Sequence, residues 1–426
     1  MSSENGVEVR VRGIGAGGVG VGDLPDGRVV FLPRTAPGDL VRVKLVQEKD
    51  RWAKGVLLEL LEEGEGRRVA PCPRYGECHG CSLQHLAYSD QLQWKGRIVG
   101  DALRRIGGMT TDDPIVEPSP LELGYRNKAT MTLRRLAQGR VVAGFHQLLD
   151  RRRILDVGPE CLLLVPELAR LWGSLRAGWG PGAHFLPQGR ELRLTLRYGD
   201  SEGALVVRGG KGEGRPDQLL AAVPELASVW REEKEGGVRH VAGAPALQMS
   251  WLEESLEVPG GAFVQVNKEG GEALHRFVLE SVGEIEGRRI VEGFCGAGVL
   301  GRKLARRGAR VLGIEMDSQG VAEARRGAPE GFEVMEGRVE AVLGGLLPAD
   351  IVLLNPPRTG LDPTVPEALS GNPAERIIYV SCDPATLARD LGRLGEVYVM
   401  DGLRSFDLFP QTGHVETVVS LRRRSD

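Results

Sequence analysis

Residues 351–384 read IVLLNPPRTG LDPTVPEALS GNPAERIIYV SCDP, and two short apolar runs stand out in them, Ile351–Leu354 and Ile377–Val380. Neither run alternates with polar residues, and each breaks at once into a turn rich in proline and polar side chains. That is the pattern of strands buried on both faces of a parallel sheet. Ligands of open α/β sheets bind beyond the carboxyl ends of the strands. Asn355-Pro356-Pro357-Arg358 and Ser381-Cys382-Asp383-Pro384 are therefore expected to face one crevice, which offers it a thiol. Asp383 and Pro384 can cap and begin a helix through Thr386–Arg389, and its amino-terminal dipole would favour the Cys382 thiolate. The competing reading of a lone cysteine is a buried structural thiol.

Upstream, the chain alternates strand and helix from about Phe263. Phe263-Val264-Gln265-Val266-Asn267 leads into a helical stretch, EALHRFVLESV, with Asn267 as the predicted N-cap. Ile290-Val291-Glu292-Gly293-Phe294-Cys295-Gly296-Ala297-Gly298 is an apolar strand running into a glycine turn before a helix over Leu300–Arg307. Such a turn lets backbone amides approach a ligand at a helix terminus. The next strand, Val311–Glu315, ends in a carboxylate 23 residues after Glu292, placed to accept hydrogen bonds from ribose hydroxyls. S-adenosylmethionine enzymes and nicotinamide oxidoreductases share this arrangement. A presented thiol and an Asn-Pro-Pro-Arg turn are superfluous for hydride transfer and point to the former. The final strand, Val415–Leu421, follows His414, and Glu416 near its start is either a base in the crevice or an exposed strand-end glutamate.

The 426 residues allow two or three domains. No run is long and apolar enough to cross a bilayer, and the start MSSENGVEVR lacks the basic-then-apolar pattern of a leader, so a cytoplasmic protein is expected. The net charge of -3 excludes a uniformly basic surface, yet Arg67–Glu160 carries 15 Lys/Arg against 10 Asp/Glu and could track a phosphate backbone. Residues 1–63 hold alternating runs, VEVRVR and LVRVKLV, separated by GIGAGGVGVG and Pro37-Gly38, and predict a small antiparallel barrel. This segment resembles the TRAM domain, an RNA-binding OB-like barrel. Residues 64–262 predict an α+β region, with strands over Ala129–Leu133, Leu192–Leu196 and Ala204–Val207 and a helical stretch over Cys161–Leu175. It opens on Cys72-x5-Cys78-x2-Cys81, with the next cysteine at Cys161. In a chain without a secretory leader such spacing favours a metal or cluster over disulfides. Zinc and a [4Fe–4S] cluster both suit four thiolates; three local ligands and one remote one favour the cluster.

Together these motifs resemble the RNA uracil-C5 methyltransferases of the TrmA/RumA (RlmD) type. The matching pieces are the four cysteines, Tyr125-Arg126-Asn127-Lys128, Phe263–Asn267, Phe294-Cys295-Gly296, Glu315, Asn355–Arg358, Ser381–Asp390 and His414-Val415-Glu416-Thr417. The resemblance implies an α/β architecture in three parts: the TRAM-like barrel over 1–63, a central α+β domain with the cysteine site over 64–262, and a Rossmann-like methyltransferase domain over 263–426. It implies methylation of uridine C5 in RNA, with Cys382 as nucleophile and Glu416 as general base. S-adenosylmethionine would be held by Gln265, Phe294, Gly296, Glu315 and Asn355, and the RNA by Asn355, Arg126 and Lys128. It further implies a [4Fe–4S] cluster on Cys72, Cys78, Cys81 and Cys161. The barrel and the clustered cysteines are more similar to the ribosomal-RNA branch than to the transfer-RNA branch, so 23S rRNA is the expected partner, with no membrane and a monomeric chain. Three positions depart from the family: Asn355 stands for an aspartate, Glu292 for another, and Val299 for a polar residue. A polar cofactor contact falls on Arg338 and is not carried over. Because of Asn355 a cytosine-C5 enzyme stays open, as do a tRNA uridine-C5 methyltransferase and an RNA-binding assembly factor without catalysis.

Overall fold

The computed structural model describes residues 6–233 and 237–425; the first five residues of the start inspected for a leader lie outside the described residues. The chain forms two compact units. One takes the residues up to Glu122 together with Cys382–Gly392 and Arg404–Thr417; the other takes Leu123–Ser381, Arg393–Leu403 and the chain from Val418 on.

In the first unit, β1 (Val7–Gly15), β2 (Val19–Asp23), β3 (Val29–Leu32), β4 (Leu40–Glu48) and β5 (Trp52–Glu62) close a barrel in the order β1-β2-β3-β5-β4. The alternation predicted for VEVRVR holds: Val9 and Val11 are buried against Val30, Leu32, Val41 and Val43, while Arg10 and Arg12 face outward. Closure leaves the sheet without an open edge. Outward arginines are paired, Arg10 with Glu62 and Arg42 with both Glu8 and Glu59. Helix α1 (Tyr88–Arg105) packs Trp94 and Ile98 on Ile14, Ala36, Leu83 and Leu86. The two-residue strand β6 (Val116–Glu117) runs parallel to Ser405–Phe406.

The second unit holds a seven-stranded sheet built from β7 (Lys128–Arg135), β8 (Val141–His146), β9 (Ile154–Asp156), β10 (Glu191–Tyr198), β11 (Gly203–Arg208), β12 (Leu226–Glu232) and β13 (Val238–Gly243). Helices α2 (Pro166–Gly178) and α3 (Pro216–Ala222) belong to this sheet, and Trp172, Leu168 and Leu171 of α2 join its core. The helix expected from Cys161 begins five residues later. Pro166 suits the first turn of a helix but turns the residue before it away from helical backbone, so 161–165 stay irregular. A hairpin of β14 (Leu247–Trp251) and β15 (Glu254–Val258) follows.

From α4 (Lys268–Ser281) onward the predicted alternation appears, and the Asn267 side chain caps α4 by accepting from Gly270 N at 3.0 Å. The elements are β16 (Arg289–Gly293), α5 (Val299–Arg306), β17 (Arg310–Glu315), α6 (Ser318–Arg325), β18 (Phe332–Glu336), α7 (Val339–Leu346), β19 (Ile351–Leu354), α8 (Thr364–Gly371), β20 (Arg376–Ser381), α9 (Pro384–Leu394), β21 (Tyr398–Phe406) and β22 (Glu416–Arg423). Their strands follow the order β18-β17-β16-β19-β20-β22-β21. All four residues of β19 are buried, as are five of six in β20, which matches the uninterrupted apolar runs. The order reverses between β16 and β19, the switch point where such sheets open a crevice. No helix among the described residues is long and apolar enough to cross a membrane.

Candidate active site

At the switch point, the chain leaves β16 through Phe294 and Gly296, both with left-handed backbone (φ 63° and 55°). Gly298 (φ 74°) then caps α5, and any Cβ there would meet the Phe332 ring at 2.7 Å, so this turn requires glycine. The turn floors a cleft enclosing about 770 Å³, part of it open solvent, lined among others by Gln265, Phe294, Gly296 and Asn355. From the end of β17 the Glu315 carboxylate accepts from Gly296 N (2.9 Å), Met316 N (2.8 Å) and Asp317 N (2.8 Å). It thereby braces the glycine turn. Four of the five expected cofactor residues thus line one cleft, and the fifth, Glu315, is bonded to Gly296.

Glu292 also lines this cleft, and its role could not be read beyond a departure from the family pattern. It is buried, and its Oε2 has no hydrogen-bond partner among the described residues. Burial, helped by the negative charge of Glu315 and opposed by the Gly301 N–H, pushes its carboxyl up to about 8. The folded chain then holds a proton that the unfolded chain releases above the ordinary carboxylate range. Stability contributed by this group is complete below about pH 4.5 and is lost as pH rises toward 8, on the order of a few kcal/mol in all. Between pH 5 and 8 the melting temperature of the unaltered chain should fall more steeply than that of Glu292→Gln; parallel curves would contradict the assignment. Next to it, burial and the charges of Glu292 and Glu315 push the Cys295 thiol well above its ordinary range, which makes it inert.

Cys382 follows the last residue of β20, is partly exposed, and stands just before the helix that Asp383 caps by accepting from Ala385 N (3.0 Å) and Thr386 N (2.9 Å). Glu416 opens β22, the neighbour of β20, and is 4 % exposed. At the far end of these strands Arg423 N donates to Glu375 O at 3.0 Å. A bond from the end of β22 to the residue preceding β20 makes the two strands antiparallel. The start of β22, at Glu416, therefore lies toward the end of β20, the end from which Cys382 follows. Ser405 Oγ and Thr417 Oγ1, 3.0 Å apart, hold the next residue of β22 to β21.

A family model described as tRNA (Uracil-5-)-methyltransferase matches residues 342–424, the segment that carries these features, and one described as TRAM domain matches residues 6–58. An uncharacterized RNA methyltransferase of Gloeobacter violaceus is 35% identical over 98% of this chain and 96% of its own, and one of Nostoc sp. is 34% identical over 97% and 96%. The crystal structure of the Pyrococcus abyssi tRNA (uracil-54, C5)-methyltransferase in complex with S-adenosyl-L-homocysteine superposes with a TM-score of 0.74 at 26% identity, covering 99% of this chain and all of that one. This chain belongs to the RNA uracil-C5 methyltransferase family. The match extends through the barrel, the central sheet and the switch-point cleft alike.

For a member of the family, two expected substrate contacts sit in unexpected places. Lys128 lies outside the Gln265–Asn355 cleft and lines a small separate cavity with Thr195 and Arg197. Burial, with the Arg197 charge beside it, lowers its ammonium to about 8. Arg126 is used through its backbone, which bridges to Leu164 and Asn267. Its neighbour Asn127 donates from N to Val266 O at 2.9 Å. The Tyr-Arg-Asn-Lys motif therefore anchors the segment that brings Gln265 to the cleft.

The geometry of the cysteine loop does not by itself carry the cluster expectation. Among the described residues no group of three or more His, Cys, Asp or Glu side chains is gathered to hold a metal ion. The loop of Cys72, Cys78 and Cys81 is shaped by its own bonds instead: Tyr75 N to Cys72 O (3.0 Å), Cys78 N to Arg74 O (2.8 Å) and Tyr75 OH to Ser82 O (2.8 Å). The donor chemistry nevertheless suits bound thiolates, since Gly80 N donates to Cys78 Sγ (3.3 Å) and Gln84 Nε2 to Cys81 Sγ (3.1 Å). The chemistry of the thiols and their N–H donors fits such a cluster.

Proposed function

We propose that this chain methylates C5 of a uridine in RNA, with Cys382 as nucleophile and Glu416 as base. What supports the reading is the antiparallel pairing of β20 with β22, in which the strand that opens on Glu416 begins toward the end of β20, where Cys382 follows. When bound, S-adenosylmethionine supplies an electrophilic methyl group, and Gln265, Phe294, Gly296, Glu315 and Asn355 are the residues that would hold it. The left-handed turn, the braced Glu315 and the orphaned Glu292 oxygen support that fit.

Uracil C5 is a poor nucleophile. Addition of the Cys382 sulfur to C6 breaks the C5–C6 double bond and makes C5 enolate-like, so that it can take the methyl group. Glu416 then removes the C5 proton, and the electron pair re-forms the double bond as the Cys382 sulfur leaves. The Asn355 amide can accept from uracil N3–H and donate to O4. A stacked base hides C6, so the uridine must lie in a loop or be flipped out. The barrel and the basic stretch 67–160 would hold the surrounding RNA.

Ribosomal RNA is the first substrate reading. A transfer RNA is the second, favoured by the end-to-end likeness to the Pyrococcus abyssi enzyme. Incubation of the chain with 23S rRNA and tRNA transcripts and labelled methyl donor, followed by nucleoside analysis, is expected to give 5-methyluridine in the rRNA. Label confined to tRNA selects the second reading, and 5-methylcytidine or RNA binding without label overturns the first two.

We further propose that Cys72, Cys78, Cys81 and Cys161 take a [4Fe–4S] cluster, the group that four thiolates, three of them local, suit. No step of the reaction runs through it. Protein purified without oxygen should carry about four iron and four sulfide per chain and lose them in Cys81→Ser; bound zinc, or no metal, would refute this.

A further inference from the structure

We infer that Gln411 is a positioning residue that ties the strand presenting Glu416 to the loop bearing Cys72, Cys78 and Cys81; this rests on the reading of Glu416 as the base. Gln411 is fully buried, yet its backbone is left-handed (φ 67°), which a side chain of this kind adopts only where its surroundings over-determine it. Each of its polar groups is engaged. Its carbonyl accepts from Ser82 N (2.9 Å) and Leu83 N (3.0 Å), the two residues after Cys81. Its own N–H donates to Gln91 Oε1 (3.0 Å), and Gln91 Nε2 returns a bond to its Oε1 (3.0 Å). Arg68 Nη2 adds a second bond to that oxygen at 3.2 Å, and the Gln411 amide reaches Glu122 O at 3.4 Å.

Two routes therefore run from the cysteines to this residue. One is the direct pair of N–H donors that follow Cys81. The other passes through Gln84, whose side chain accepts from Cys72 N (3.1 Å) and donates to Cys81 Sγ (3.1 Å), and whose carbonyl accepts from Arg68 Nε (3.2 Å). On the other side Gln411 is five residues from Glu416, and the intervening chain has little freedom. Gly413 bridges to Gly17, and a Cβ on it would come within 2.2 Å of Gly18 N. Before it, Lys95 binds Asp407 (2.6 Å) and Phe409 O (3.1 Å) from within α1. A change in how the cysteine loop is folded would move the Gln411 carbonyl, and with it the entry to β22.

The test compares Gln411→Gly, which keeps the left-handed backbone at no steric cost and loses the side chain, with Gln411→Ala and with Gln91→Ala, which removes the partner from the helix side. Each is incubated with an RNA transcript the unaltered chain methylates, and turnover, affinity for S-adenosylmethionine and the fraction of protein trapped as a denaturation-resistant RNA adduct are measured. The expected result is turnover reduced about tenfold or more, with the trapped fraction rising toward that of Glu416→Gln and methyl-donor affinity within about twofold. A purely structural role would lower adduct formation and resolution together and leave the trapped fraction unchanged; that result in any variant that folds overturns the inference. Glu416→Gln serves as control. If it traps no adduct, the reading of Glu416 has failed; if it does while the Gln411 and Gln91 variants do not, only the positioning inference has.

Discussion

Cys382→Ser is expected to abolish 5-methyluridine formation, lowering turnover by at least about 10³-fold, the scale on which removal of a covalent nucleophile acts. A serine hydroxyl is far less ionised than a thiol near neutral pH, so addition to C6 stops and no RNA adduct forms. The substitution changes one atom at a partly exposed position, and the Asp383 cap that fixes the following helix is untouched. Fold and methyl-donor binding should therefore survive, which distinguishes lost chemistry from lost structure. Cys295 cannot substitute, because its buried thiol stays protonated beside two acids. Normal turnover by Cys382→Ser would remove the nucleophile from the account.

Glu416→Gln should behave differently. The amide matches the carboxylate in shape, so the buried start of β22 keeps its packing, but it cannot take a proton. Loss of a positioned base costs about 10² to 10⁴ in rate. The loss falls after methylation of C5, when the ring is saturated and bonded to Cys382. Protein should therefore accumulate as an RNA adduct that survives denaturation, where Cys382→Ser accumulates none. The opposite signs of the two variants in one assay separate the roles.

Much of this site was legible because local physics dictates it. Ile351–Leu354 and Ile377–Val380 have the pattern of doubly buried strands, Asn267 had the side chain of an N-cap, and the glycines after Glu292 mark a turn that a Cβ at Gly298 would block. What stayed hidden depends on partners far away in the chain. Nothing local announces that Lys128 lies beside Arg197, since the two meet only through the pairing of β7 with β10. The Lys95–Asp407 and Gln91–Gln411 bonds join positions more than 300 residues apart, and no periodicity announces them. The signal available for Gln411 was its place in Phe409-Pro410-Gln411-Thr412-Gly413, immediately before the strand of the base. Cys161–Val165 shows the limit of apolar runs, since one proline moved the helix start.

The central claim is covalent, and mass analysis of the Glu416→Gln protein addresses it most directly. After incubation with RNA and S-adenosylmethionine, then denaturation and digestion with ribonuclease and protease, the account predicts that the peptide containing Cys382 carries a C5-methylated uridine nucleotide. An unmodified Cys382 peptide, obtained under conditions in which the unaltered chain forms 5-methyluridine, would contradict it.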